Sequence, residues 1–150
     1  MRLSRLIASG FGAGLCPRAP GTAGSLAALL LGAGLMRLSP LALPLAILLA
    51  CVAGVWAIGR EVRGSDPGWI VIDEFAGQWI AMLALTAPTW PGLLAAFLLF
   101  RLLDIAKPGP VGWADRRKDA VGVMADDVVA GLIAGLILLA VRFYRPDWIG

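Results

Sequence analysis

The sequence predicts an all-α membrane protein: a compact bundle of about five to six short apolar helices, embedded in the bilayer, with a polar site at its cytoplasmic end. Three observations predict it. Hydrophobic residues make up 59% of the 150 residues and charged residues only 15%, against roughly 25% charged in an ordinary soluble protein. Mean hydropathy is +0.83. No stretch sustains the period-two alternation of a strand, whereas apolar runs of helical length recur between Gly/Pro-rich or charged breaks. The length suits a single domain over residues 1–150.

The elements follow in order. Residues 1–21 hold a short amphipathic start and the loop GFGAGLCPRAPG. The loop's glycines interrupt any long apolar core, so this is not a cleaved signal peptide. A first apolar helix is expected from Thr22 to Met36, capped near Gly21 or Thr22. A second runs from Leu41 to Ile58, with Pro44 in its first turn, where proline is tolerated. After the polar loop GREVRGSDPG, a third helix is expected over residues 69–87, carrying Asp73 and Glu74 early. PTWPG is a turn, and LLAAFLLFRLLDIA is a fourth helix ending before Lys107-Pro108. A loop follows, with a short helix around Trp113 to Lys118, and a last helix from Met124 to Arg142. The runs are roughly 14 to 19 residues, at or below the ~20 needed to span a bilayer. Their Gly and Ala content suits close helix packing.

Charge placement orients the chain. Arg2, Arg5 and Arg18 precede the first helix, Arg60 and Arg63 follow the second, and Lys107, Arg116, Arg117 and Lys118 lie between the fourth and fifth. The opposite loops carry only Arg37. By the positive-inside rule the N-terminus and both long polar loops are cytoplasmic; the tail, with Arg142 and Arg145, falls outside if all five runs cross. The basic residues are scattered and not interleaved with aromatics, which argues against a nucleic-acid partner. Cys16 and Cys51 lack metal-ligand spacing and read as small apolar fillers. There is no histidine. That excludes imidazole-dependent chemistry, including Ser-His-Asp triads and lipid phosphatases built on paired histidines.

Three constellations remain. DEFAG and DDVVAG each place an acidic pair at the entry to an apolar helix: Asp73-Glu74 and Asp126-Asp127. Capping accounts for one acid at each place. Adjacent helical positions point about 100° apart, so one member of each pair should face a site while the other caps or meets a base. Oxygen ligands alone in this number suit a hard cation, Mg²⁺ above all. In FRLLDIAKP, Arg101 and Asp104 share a helix face, continued by Lys107. They read either as a local ion pair or as a further carboxylate flanked by two cations for a phosphate. GFGAGLCPRAPGTAGS combines a Gly/Pro-rich cradle with a helix start, the Thr22 and Ser25 hydroxyls and Arg18. It is a generic anion site, but not a Walker loop, because no G-K-[ST] follows. Carboxylates, cations and an anion cradle together fit metal-assisted phosphoryl chemistry.

The segments GFGAGLCPRAPGTAGSLAALL, DPGWIVIDEFAGQWIA, FRLLDIAKPGPVGWADR and GVMADDVVAGLIAG resemble the phosphatidylglycerophosphatase A family. They cover roughly half the chain, in order, and hold nearly all its polar residues. The resemblance implies Mg²⁺-dependent hydrolysis of phosphatidylglycerophosphate to phosphatidylglycerol at the bacterial inner membrane, with membrane lipids as surroundings. It also implies the all-helical fold that soluble-looking relatives share. Residue by residue it points to Asp73, Glu74, Asp104, Asp126 and Asp127 as the acidic centre and metal ligands. Asp126, Asp127, Asp104 and Lys107 are the catalytic candidates, and Arg18, Thr22, Ser25, Arg101 and Lys107 the phosphate-binding ones. The family's usual glycine pair before the GxM segment is replaced by Asp119-Ala120, which stiffens that loop. Two rival readings fit the sequence less well. A small ion or proton transporter would place its acids nearer the midplane, and a phosphatidyl-transferase would carry DGxxAR, which is missing.

Overall fold

The computed structural model of the chain describes residues 2–62, 67–117 and 119–149. Arg63 and Lys118, used above for orientation, lie outside the described residues. Those described form eight α-helices and one 3₁₀ turn at Ala13–Leu15: α1 Leu3–Ala8, α2 Pro20–Leu38, α3 Ala42–Glu61, α4 Ile72–Met82, α5 Trp90–Ala106, α6 Pro110–Asp115, α7 Ala120–Tyr144 and α8 Pro146–Ile149. The all-α architecture is as the sequence predicts.

The boundaries differ where local chemistry overrides the hydropathy pattern. α2 opens at Pro20, whose ring pre-sets the first helical φ, behind Ala19 in the left-handed region. α5 starts at Trp90, capped by Thr89, whose hydroxyl accepts from Gly92 N–H at 3.3 Å. α7 starts at Ala120 because Asp119 caps it, accepting from Gly122 N–H at 2.8 Å. The short loop helix sits at Pro110–Asp115 rather than at Trp113 to Lys118.

The largest correction concerns the third helix. It ends at Met82, not at residue 87. The chain then turns through Leu83 and Ala84, and the Ala84 carbonyl accepts from Arg142 Nη1 at 2.6 Å. Ala87 precedes Pro88, which disfavours further helix. Eleven residues rise about 16 Å, roughly half of a ~30 Å hydrocarbon core. Five clean crossings are therefore not what the chain builds. α2, α3 and α7 are long and apolar enough to cross a membrane.

α4 is instead the central post. It packs most extensively on α7, then on α2, α3 and α5. Nine of its eleven residues are buried, including Phe75, Trp79 and Met82, as suits a helix covered on all sides. Trp79 Nε1 donates to the Ala28 carbonyl at 2.7 Å and ties α4 to α2. The surrounding helices turn leucines outward: Leu30, Leu48, Leu94, Leu102 and Leu136 are all more than half exposed. Such an apolar exterior has lipid, not water, as its natural surroundings.

α4 and α7 meet through glycines. A side chain on Gly131 would run into the backbone of Gly77, and one on Gly77 would lie 2.5 Å from the Asp127 carbonyl. This close approach brings the acidic turns of the two helices together.

Candidate active site

Asp73 and Glu74 sit in the first turn of α4. The Glu74 N–H donates to Asp73 Oδ1 at 3.1 Å, so Asp73 serves partly as a cap. Asp126 and Asp127 are not caps. α7 begins six residues before Asp126 and carries no acid in its first turn, so both aspartates lie inside the helix, and both are buried. Capping therefore does not account for them. Across the α4–α7 contact, Asp73, Glu74 and Asp127 each place a carboxylate oxygen within 4.8 Å of the others. Asp104 of α5 stands beside Asp127, close enough for the two carboxyl groups to interact directly.

Asp126 points elsewhere. Its Oδ2 accepts from Lys107 Nζ at 2.6 Å, and Lys107 also donates to Asp115 Oδ1 at 2.5 Å. One member of the pair thus joins the acid cluster while the other meets a base. Lys107 occupies the C-cap of α5 with φ 46°, and this left-handed turn takes it off the Arg101/Asp104 face. Burial would lower the Lys107 pKa, but the bonds to Asp115 and Asp126 outweigh it and hold the ammonium above its ordinary value.

Arg101 pairs with Asp104 three residues on. Its Nη1 also lies 3.5 Å from Ser25 Oγ, which itself donates to the Gly21 carbonyl at 2.8 Å. Gly21 lies against both groups: a Cβ there would be 2.5 Å from Glu74 Oε1 and 3.5 Å from the Arg101 guanidinium. The opening of α2, with Thr22 half-buried beside it, therefore borders the acid cluster directly. Arg18 is exposed in the loop before α2 and forms no side-chain hydrogen bond or ion pair among the described residues. Cys16 is no filler either; it is exposed, its Sγ 3.2 Å from the Arg18 carbonyl.

The sequence reading passed over two residues. Asp115 shares Lys107 with Asp126, and nothing in the sequence signals a contact made by a chain reversal. Gln78 is fully buried, one turn after Glu74 on the same face of α4, and both its amide atoms lack a hydrogen-bond partner. A glutamine at i+4 from an acid inside an apolar helix was the available signal. Glu74 Oε2 and Arg101 Nε are likewise buried without partners.

The donor set fits a hard divalent cation. Three convergent carboxylates repel one another, and a buried Glu74 oxygen left without a partner is one that a metal–oxygen bond would satisfy.

Comparison with known proteins bears on this arrangement. The family profile described as phosphatidylglycerophosphatase A matches residues 6–142. The chain belongs to the phosphatidylglycerophosphatase A family. It is 41% identical over 146 residues to phosphatidylglycerophosphatase A of Escherichia coli (strain K12), covering 94% of this chain and 84% of the relative. It is 38% identical over 144 residues to the Haemophilus influenzae protein of that name, covering 93% and 88%. A third relative, from Bacteroides thetaiotaomicron, is named a putative phosphatidylinositol-3-phosphatase and is 40% identical over 147 residues, covering 92% of each chain. No solved structure matches the chain significantly. All three names describe removal of a phosphate monoester from a lipid headgroup.

Proposed function

We propose that the chain is a Mg²⁺-dependent lipid phosphatase that hydrolyses phosphatidylglycerophosphate to phosphatidylglycerol and phosphate. The observation that carries this reading is the convergence of Asp73, Glu74 and Asp127 beside Arg101 and the opening of α2. Anionic ligands for a cation and cationic ligands for a phosphate share one edge. Family membership supplies the substrate class.

Asp73, Glu74 and Asp127 would hold the ion, with Asp104 beside them. Bound there, Mg²⁺ supplies Lewis acidity toward a phosphoryl oxygen and an attacking water. Arg101 offers its planar guanidinium to the phosphate, with the Ser25 and Thr22 hydroxyls and the α2 N-terminus on the same side. Asp127, the member of the pair that faces the cluster, would accept the water's proton. Lys107 fixes the Asp126 carboxylate and adds positive charge at the entrance. The apolar exterior supports a site at the membrane surface, and by the positive-inside rule the basic residues Arg2, Arg5, Arg18, Arg60, Lys107, Arg116 and Arg117 support the cytoplasmic face of the bacterial inner membrane.

The test is phosphate release by the purified protein from phosphatidylglycerophosphate and from phosphatidylinositol 3-phosphate in mixed micelles, with Mg²⁺ and with excess chelator. Mg²⁺-dependent release, faster from the first lipid, is expected. Equal release under chelation would remove the metal. No release from either lipid, together with cation flux in liposomes, would favour a transporter instead.

A further inference from the structure

We propose that the groove between α2 and α5 seats an acyl chain of the lipid substrate, and so sets where the lipid enters. This rests on the phosphatase reading and adds to it a binding site and a direction of approach.

The groove is open and about 550 Å³, lined by Leu26, Leu29, Trp90, Leu93, Leu94 and Phe97. A second hollow of about 370 Å³ continues it past Ala33 and Gly34 to Arg37. Gly34 contributes to the opening, since even a Cβ there would touch nothing within 4 Å.

Register decides what lies at its upper end. α2 and α5 run antiparallel. Leu29, Leu26 and Thr22 follow one face of α2 at helical spacing, and Leu94, Phe97 and Arg101 follow one face of α5. One turn beyond the last apolar pair, Leu26 and Phe97, come Thr22 on α2 and Arg101 on α5, and Arg101 Nη1 meets the buried Ser25 Oγ at 3.5 Å. Glu74 lies immediately behind. An apolar channel thus ends on a guanidinium and hydroxyls at the edge of the carboxylate cluster. That order matches a lipid with a phosphorylated headgroup: hydrocarbon below, phosphate above. From Thr22 to Ala33 the helix rises about 16 Å, close to the depth of one leaflet in a ~30 Å hydrocarbon core.

Two other apolar hollows among the described residues lack this order. The one between α1, α3 and α4, about 360 Å³ and lined by Leu3, Ile7, Phe11 and Leu49, has no cation at the acid cluster. The one between α4 and α7 is about 160 Å³ and lies at the opposite end, beside Leu83 and Ala84.

The test uses the full chain in mixed micelles with Mg²⁺. Phosphate release by the wild type is measured first; its absence overturns the phosphatase reading and this proposal with it. A phosphatidylglycerophosphate analogue bearing a photoactivatable group in one acyl chain is then cross-linked and the adducts mapped. Adducts concentrated on Leu26, Leu94 and Phe97, and competed by unlabelled substrate but not by phosphatidylglycerol, are expected. Labelling spread evenly over α2, α3, α5 and α7 in an active enzyme overturns the groove alone. As a second measurement, Leu26→Trp should raise KM for the long-chain lipid about tenfold, the loss expected when burial of a couple of methylene groups is denied, with kcat little changed. Leu48→Trp, on the outer face of α3, should change neither. Equal KM in both variants overturns the proposal.

Discussion

Lys107 Nζ lies 2.6 Å from the Asp126 carboxylate, joining the end of α5 to the second turn of α7, with Asp115 of α6 bound to the same ammonium at 2.5 Å. One cation therefore fastens three helices at the edge of the site. It also separates the roles of two adjacent aspartates: Asp126 is held outward while Asp127 faces Asp73 and Glu74.

Removing that ammonium leaves a buried carboxylate without its cation. Lys107→Met keeps the stem and is expected to lower unfolding stability by about 1–3 kcal/mol, below the range for fully buried pairs because Lys107 is about a third exposed. Asp126→Asn in the same chain should restore part of the loss. The pH dependence has a definite sign. Lys107 has a raised pKa when folded, so its contribution is fully present below the unfolded value of ~10.4 and is lost as pH rises through the folded one. Denaturant titrations in detergent should show a constant gap between wild type and Lys107→Met from about pH 6 to 9, narrowing above about 10.4. A gap that did not narrow on the alkaline side would contradict the pairing, whereas closure at acid pH follows from protonation of the Asp126 and Asp115 carboxylates that Lys107 meets.

Asp127→Asn separates the carboxylate cluster from its proposed ion. Without metal, neutralising one of several crowded acids should stabilise the fold or leave it unchanged. With Mg²⁺ at about a hundred times Kd, the wild type should gain about 2.7 kcal/mol and the variant far less. Phosphate release should fall by at least about 10²-fold, the lower range for an acid–base group. Thermal unfolding with and without Mg²⁺, beside the activity assay, checks all three. A variant that is well folded, fully stabilised by Mg²⁺ and fully active would remove Asp127 from the site.

The legible part of the fold was the part written in single residues. The acid pairs stand out because carboxylates are rare in apolar helices, whereas PTWPG reads as a turn and hides that Thr89 caps a helix already begun at Trp90. Arg101/Asp104 was legible because i,i+3 partners need no tertiary structure. What could not be read depends on how distant turns meet. The end of α4 is set in part by Arg142, 58 residues away, and Asp115 reaches Lys107 through a chain reversal. Hydropathy overextended α4 because residues 83–87 are nearly as apolar as the helix before them. Arg18 lies exposed in the loop just before the left-handed turn at Ala19 that leads into α2.

Gln78 carries a stability cost that a test can expose. Its amide is fully buried and unpartnered. Gln78→Met keeps the length and removes both polar atoms, and is expected to raise stability by about 1–3 kcal/mol, the usual penalty of an unsatisfied buried group. Unfolding titrations of the metal-free protein check it. A clear loss of stability would mean that the amide has a partner in the folded protein.

The last prediction concerns the glycine contact that sets the spacing of α4 and α7. A methyl group on Gly131 would meet the Gly77 carbonyl carbon and Cα at 2.9 Å, and these are backbone atoms that cannot swing aside. The two helices must separate or slide, and Asp127, one turn before Gly131, must move with them away from Asp73 and Glu74. Gly131→Ala is therefore expected to destabilise by about 1–3 kcal/mol through overpacking, although alanine is intrinsically the better helix former by about 0.8–1.0 kcal/mol. Gly34→Ala in α2 is the matched control, because nothing lies within 4 Å of its added methyl. It should show the propensity gain alone, as a small rise in stability. Beyond stability, Gly131→Ala should weaken Mg²⁺ stabilisation and lower phosphate release, because the carboxylate oxygens no longer converge within 4.8 Å. Thermal unfolding of both variants with and without Mg²⁺ distinguishes the two effects. If Gly131→Ala is as stable as Gly34→Ala and binds Mg²⁺ as the wild type does, the helices are not held at this spacing, and the acid cluster does not depend on it.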